Sequence, residues 1–200
     1  MTTDMTSLPE NTTSLPEKKK LHQFQILLWV GLGSIIMAFA GLTSAYIVKK
    51  SQANWLDFDL PNVFWASTAI ILVSSFTMQM AVKKYKEQQL NQYQGFMTLT
   101  AILGVVFLIM QYQGFITLEA NNIALTGPRS NSAGSFLLVI TSFHMLHVLG
   151  GVVALVIVAI SAFSTKTKTY NALPVELAST YWHFVDILWI YLFVFFNWVG

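Results

Sequence analysis

Five long apolar blocks separated by short polar stretches organise the chain. They run over Ile26–Val48, Asn62–Val82, Phe96–Leu118, Ser135–Phe163 and Leu177–Val199, and the shortest has 21 residues. Each is long enough to cross ~30 Å of hydrocarbon as a helix. The first is too long for a signal-peptide core and has no clear cleavage site after it, so it is read as a retained span. The connecting loops are short. The longest, Glu119–Gly134, is polar and carries Gly127-Pro128, and none can form a separate domain. The pattern predicts an all-α membrane protein, a compact five-helix bundle over residues 21–200. Residues 1–20 form a different region: polar, rich in Ser and Thr, with TSLPE at 6–10 and again at 13–17. That composition predicts a disordered tail.

Orientation comes from the distribution of positive charge. Lys18, Lys19, Lys20, Lys83, Lys84, Lys86, Lys166 and Lys168 fall on one side, and only Lys49, Lys50 and Arg129 on the other. Lys and Arg are retained on the inner side, so the N-terminus is expected in the cytoplasm and the C-terminus in the periplasm. Aromatic residues near the span ends, among them Trp29, Tyr46, Trp65, Tyr112 and Trp198, suit the two interfaces. Asn11-Thr12-Thr13 fits a glycosylation sequon but falls on the cytoplasmic side and is discounted.

Composition narrows the chemistry. Hydrophobic residues make up 54 % and charged residues 10 %, against roughly 25 % charged in soluble chains. A net charge of +2, with no uninterrupted basic run beyond Lys18-Lys19-Lys20, gives no support for a nucleic-acid partner. With no cysteine, the chain can build no disulfide, Fe–S cluster or thiolate metal site. It also lacks a Gly-rich phosphate loop and a nucleophile elbow.

Ionisable residues inside hydrocarbon are costly and need a reason. Those within or beside the spans are His144, His147, Glu176, His183 and Asp186. His147 and Asp186 lie near the centres of antiparallel spans, at depths that allow a charge-assisted hydrogen bond between them. Glu176 and His183 share a helix face, and His183 and Asp186 are three apart. The five are expected to form a buried polar network opening towards the cytoplasm. Three readings stay open for it: a metal or haem site, a proton path, or a hydrogen-bonded clamp between two helices. The i,i+3 spacing of His144 and His147 is unlike the helical zinc motif, and no Glu-x-x-His set is present. Glu176, two residues after Pro174, also suits a helix N-terminus by its charge alone. In the first span Ser34, Ala38, Gly41 and Ala45 form a small-residue stripe that lets another helix approach, either within the chain or from a partner subunit.

These residues also carry a resemblance. Ser142-Phe143-His144-Met145-Leu146-His147-Val148 resembles the "GFHGLHV" signature of cytochrome c oxidase subunit III. ELASTYWHFVDILWIYLF, from Glu176 to Phe193, resembles that family's closing helix, and LPNVFWASTAIILVSSFTM at 60–78 resembles another of its helices. Asn197-Trp198-Val199-Gly200 is similar to its aromatic-Gly terminus. The likeness covers residues 21–200 and fits the five-helix bacterial form. It implies a non-catalytic subunit of a haem–copper terminal oxidase in the bacterial inner membrane, working in aerobic electron transport. The partners it implies are subunit I as the main contact, subunit II and other respiratory subunits, and membrane lipids. Haem and copper would sit in the partner subunits, none in this chain, with phospholipid bound in a cleft. The five polar residues would then be family positions and not metal ligands. Ile35 departs from the family pattern, which has a glutamate there, so a role tied to that acid does not carry over. Subunit III of a quinol oxidase, or a nitric-oxide-reductase-associated homologue, is the alternative within the family. A small proton-coupled transporter is the alternative from another class, although no broken helices or inverted repeats are evident.

The charge asymmetry makes a direct prediction. A reporter fused after Gly200 should read as periplasmic, and one inserted in the Lys83–Gln94 loop as cytoplasmic. A cytoplasmic signal after Gly200 would contradict the count of five spans.

Overall fold

The computed structural model describes residues 23–51, 55, 60–121, 123, 125–127, 131–164 and 173–199. The N-terminal tail at 1–20, its repeat and its sequon lie outside the described residues, as do Arg129, Lys166 and Lys168. Among the described residues there are five α-helices and no strands: α1 Gln23–Lys50, α2 Asn62–Lys86, α3 Leu90–Ala120, α4 Ser132–Ser164 and α5 Leu173–Val199. All five are long and apolar enough to span a membrane. Every predicted span lies within one helix, and the helices run a few residues further because the polar flanks keep their backbone hydrogen bonds.

Successive helices alternate in direction. At one end, the near end, α1, α3 and α5 begin and α2 and α4 finish; the far end is the reverse. The Lys84–Glu87 ion pair (2.9 Å) and Gln88, at φ +60°, make the tight turn from α2 to α3 at the near end. Close backbone packing joins α2 to α3, α3 to α4, α4 to α5 and α2 to α5, so these four close a ring. α1 lies outside it, packed on α4 and α5 only, and is the least buried span.

The core is aromatic. Trp182 and Trp189 on α5 are fully buried, and Phe64 and Phe107 pack on Trp189. Glycines make room for these rings. A Cβ on Gly104 would stand 2.6 Å from Trp182 and 2.8 Å from Val152, and one on Gly114 would stand 2.8 Å from the Phe64 ring. α1 is held by Leu32, Phe39, Thr43 and Tyr46. Tyr46 packs edge-on against Phe136, Phe195 and Phe196, and the Thr43 hydroxyl meets that of Tyr191 at 3.1 Å. At the far end Lys50 donates to the carbonyl of Val199 at 2.5 Å, a cation on the C-terminal end of α5 where the helix dipole favours one.

The ring is joined by hydroxyls on α2, to which the sequence reading gave no role. Ser67 accepts from Gln111 Nε2 (3.0 Å), Thr68 from Trp189 Nε1 (2.9 Å) and Ser74 from Trp182 Nε1 (3.1 Å). The Ser75 hydroxyl meets His183 Nδ1 at 2.7 Å, and Thr77 meets the Thr100 hydroxyl at 2.9 Å. Ser67 and Thr68 donate their own protons to the Phe64 carbonyl, so each is left as an acceptor. The signal was present as the pair Ser67-Thr68 recurring seven residues later as Ser74-Ser75, one polar face on an otherwise apolar helix.

Candidate functional site

The structure separates the five residues expected to form one network. His144 is fully buried in an aromatic box. Its ring lies nearly parallel to Trp189, at 5.3 Å and 28°, with the edges of Phe107 at 6.0 Å and Phe39 at 6.4 Å. Neither ring nitrogen has a hydrogen-bond partner among the described residues. His147, one turn nearer the end of α4, is partly exposed and packs edge-on to Phe39 at 5.7 Å. Its Nδ1 donates to the Phe143 carbonyl at 2.7 Å, and its own carbonyl accepts from the Tyr181 hydroxyl at 3.0 Å.

His183 and Asp186 face α2 instead. His183 binds Ser75, and the same hydroxyl faces the Asp186 carboxyl without closing a hydrogen bond to it. Asp186 is 2 % exposed. Glu176 stands at the near end, where it pairs with Lys86 of α2 at 3.1 Å, the lysine exposed and the glutamate half-buried. The expected His147–Asp186 hydrogen bond is therefore not formed. The cause is the rotation of α5: its two tryptophans must reach Ser74 and Thr68, which turns Asp186 towards α2, while His147 is already satisfied by its own helix. The chemistry available is thus two short polar contacts and one buried ring, not a single cluster. Among the described residues no three His, Asp or Glu side chains converge as a metal-ligand group.

The small-residue stripe also falls differently from an internal seam. Ser34, Ala38, Gly41 and Ala45 all lie on the outward face of α1, and no other helix comes within 4 Å of where a Gly41 Cβ would stand. Ser34 satisfies its hydroxyl on the Val30 carbonyl. Within the chain, α1 packs through larger side chains.

A groove that the sequence did not reveal opens where α1 and α2 stand apart over α5. At the near end it is polar, a cavity of about 350 Å³ bordered by Gln25, Trp29, Lys86, Glu176, Ser179 and Thr180. Further along the same faces of α1 and α5 lies a second, apolar cavity of about 460 Å³, lined by Ile36, Ala40, Phe184, Ile187 and Tyr191 among others. Ile35 is partly buried against the core and borders a separate apolar cleft of about 350 Å³ with Leu32 and Tyr181.

Residues 54–200 match the family model described as cytochrome c oxidase subunit III. A probable cytochrome c oxidase subunit 3 of Nocardia farcinica is 33 % identical over 177 residues, covering 84 % of this chain and 82 % of that one. Cytochrome c oxidase subunit 3 of Bacillus sp. strain PS3 is 28 % identical over 192 residues, covering 92 % and 88 %. The Synechocystis protein of the same name is 32 % identical over 188 residues, covering 87 % and 74 %.

The split between the two polar contacts yields opposite expectations for two variants. Ser75→Ala removes the partner of His183 and should lower the thermal stability of the assembled protein by about 0.5–2 kcal/mol. Asp186→Leu removes an acid that no side chain of α4 satisfies, and should be neutral or stabilising. A loss of about 3–5 kcal/mol on Asp186→Leu, the cost of breaking a buried charge pair, would contradict this placement.

Proposed function

The chain belongs to the cytochrome c oxidase subunit III family, and from that premise we propose that it is a non-catalytic subunit that stabilises the catalytic subunit I and supports its access to protons, oxygen and lipid. As a member of that family it is a multi-pass bacterial membrane protein associated with a haem–copper oxidase complex. Subunit I is its main contact in this reading, with subunit II and other respiratory subunits beyond it, and cytochrome c is the electron donor.

Haem and copper belong to the partner subunits in this account. The histidines here do not suit them. His144 is enclosed by three aromatic rings, His147 spends Nδ1 on its own backbone, and His183 is turned to Ser75 on another helix. No redox step is therefore assigned to this chain.

The groove is the observation that carries the reading. A phospholipid needs a polar end and an apolar length in one trough, and this groove has both in that order. Lys86, Gln25 and Trp29 stand where a phosphate headgroup would lie, since a Lys near the surface attracts anionic lipid by about 1 kcal/mol. Ile36, Ala40 and Ile187 would line an acyl chain. A lipid there would fill the space between α1 and α2 and fix α1 against the rest of the bundle. The Glu176–Lys86 pair sits at the polar mouth of the groove, where it can gather protons at the cytoplasmic surface.

The test is to compare the oxidase with and without this subunit for initial rate, decay of rate during turnover, and proton yield. The stripped complex should keep its initial oxygen reduction but inactivate faster and take up protons less well. Initial oxygen reduction falling to zero in an otherwise intact complex would overturn the accessory role.

A further inference from the structure

Four polar atoms at the α3–α4 contact are buried at mid-helix and have no partner among the described residues: Gln111 Oε1, Thr141 Oγ1, and Nδ1 and Nε2 of His144. The three side chains are at most 1 % exposed. In hydrocarbon each such group costs several kcal/mol unless something satisfies it.

The packing places them at one level. Phe107 of α3 touches the His144 ring, and Val152 of α4 lies where a Gly104 Cβ would go, which fixes which faces of the two helices meet. Gln111 is seven residues from Gly104 and four from Phe107, so it shares their face. Thr141 is three residues from His144 and lies one turn along on the same side of α4. Because the helices are antiparallel, both steps lead towards the far end. Gln111 and Thr141 therefore stand together, one turn beyond the Phe107–His144 contact.

The orientation of the amide is fixed. Ser67 donates to Phe64 and can only accept from Gln111, so the amide nitrogen must face Ser67 and Oε1 must face away. The site thus offers an acceptor from Gln111, a hydroxyl from Thr141, and a ring nitrogen of His144. What satisfies these at once is a small molecule with two donors and two acceptors.

We propose that one water molecule is bound between α3 and α4, held by Gln111 Oε1, the Thr141 hydroxyl and a ring nitrogen of His144. It donates to Gln111 and accepts from Thr141, and its remaining capacity goes to the imidazole. Three partners are the usual number for a buried water that forms part of a fold. It extends the chain Phe64–Ser67–Gln111 from α2 through α3 to α4, a helix that the α2 hydroxyls do not reach directly.

Two measurements on the assembled oxidase test it. In a density map that resolves waters, a peak is expected within hydrogen-bond reach of Gln111 Oε1 and Thr141 Oγ1. A site without density, with the Thr141 hydroxyl turned onto the Leu137 carbonyl as Thr43 and Thr100 turn onto theirs, would overturn it. Thermal dissociation of Gln111→Leu, Thr141→Val and the double variant gives the second reading. If one water serves both, the double variant melts no lower than the worse single variant, and Thr141→Ser melts like the unaltered protein. Strictly additive losses would contradict a shared water, since independent sites add.

Discussion

An indole or amide N–H inside hydrocarbon has no water to turn to, and in this chain α2 answers that need. Trp182, Trp189 and Gln111 point their donors into the bundle, and each finds a serine or threonine hydroxyl of α2. Lipid tails are as apolar as leucine, so helix association in a membrane depends on packing and on such bonds more than on burial. The positions of α3 and α5 around α2 follow from these contacts. The glycines at 104 and 114 are a consequence, because the rings that carry or flank the donors need the space.

The same constraint explains what the rest of the molecule looks like. With α5 turned so that both tryptophans reach α2, Asp186 comes to the Ser75 side and His144 is left stacked on Trp189. α1 makes no close backbone packing with α2. It is fastened by Phe39, Tyr46 and the Thr43–Tyr191 contact and remains a flank helix. Its separation from α2 is what opens the groove over α5, with a polar mouth at the near end and an apolar trough beyond it. A subunit built this way has a closed ring of four helices and one less buried flank helix.

Much of the fold was legible because hydrophobic length is a strong signal: five blocks of at least 21 residues gave five helices in the right places. The motif around Tyr181–Asp186 was likewise enough to suggest the family. The site was less legible. Spacing placed His147 and Asp186 at similar depths but carried no information on the rotation of α5, which the tryptophan bonds set. The stripe at Ser34, Ala38, Gly41 and Ala45 gave a helix face without saying whether it turned inward, and it turns outward. The α2 hydroxyls carry no distinct signal in the sequence because serine and threonine in a span also satisfy themselves on their own backbone, and only the partner side chains distinguish the two uses.

The central claim is that α2 hydroxyls hold α5 through its indoles, and a coupling measurement on Thr68 and Trp189 tests it most directly. Thr68→Val keeps the shape of the side chain and removes the acceptor. In the unaltered protein it should cost about 0.5–2 kcal/mol of stability against thermal dissociation, and in a Trp189→Phe background, where the indole N–H is gone, close to nothing. An equal cost in both backgrounds would show that the bond contributes nothing to the packing of α5, and the account would fail there.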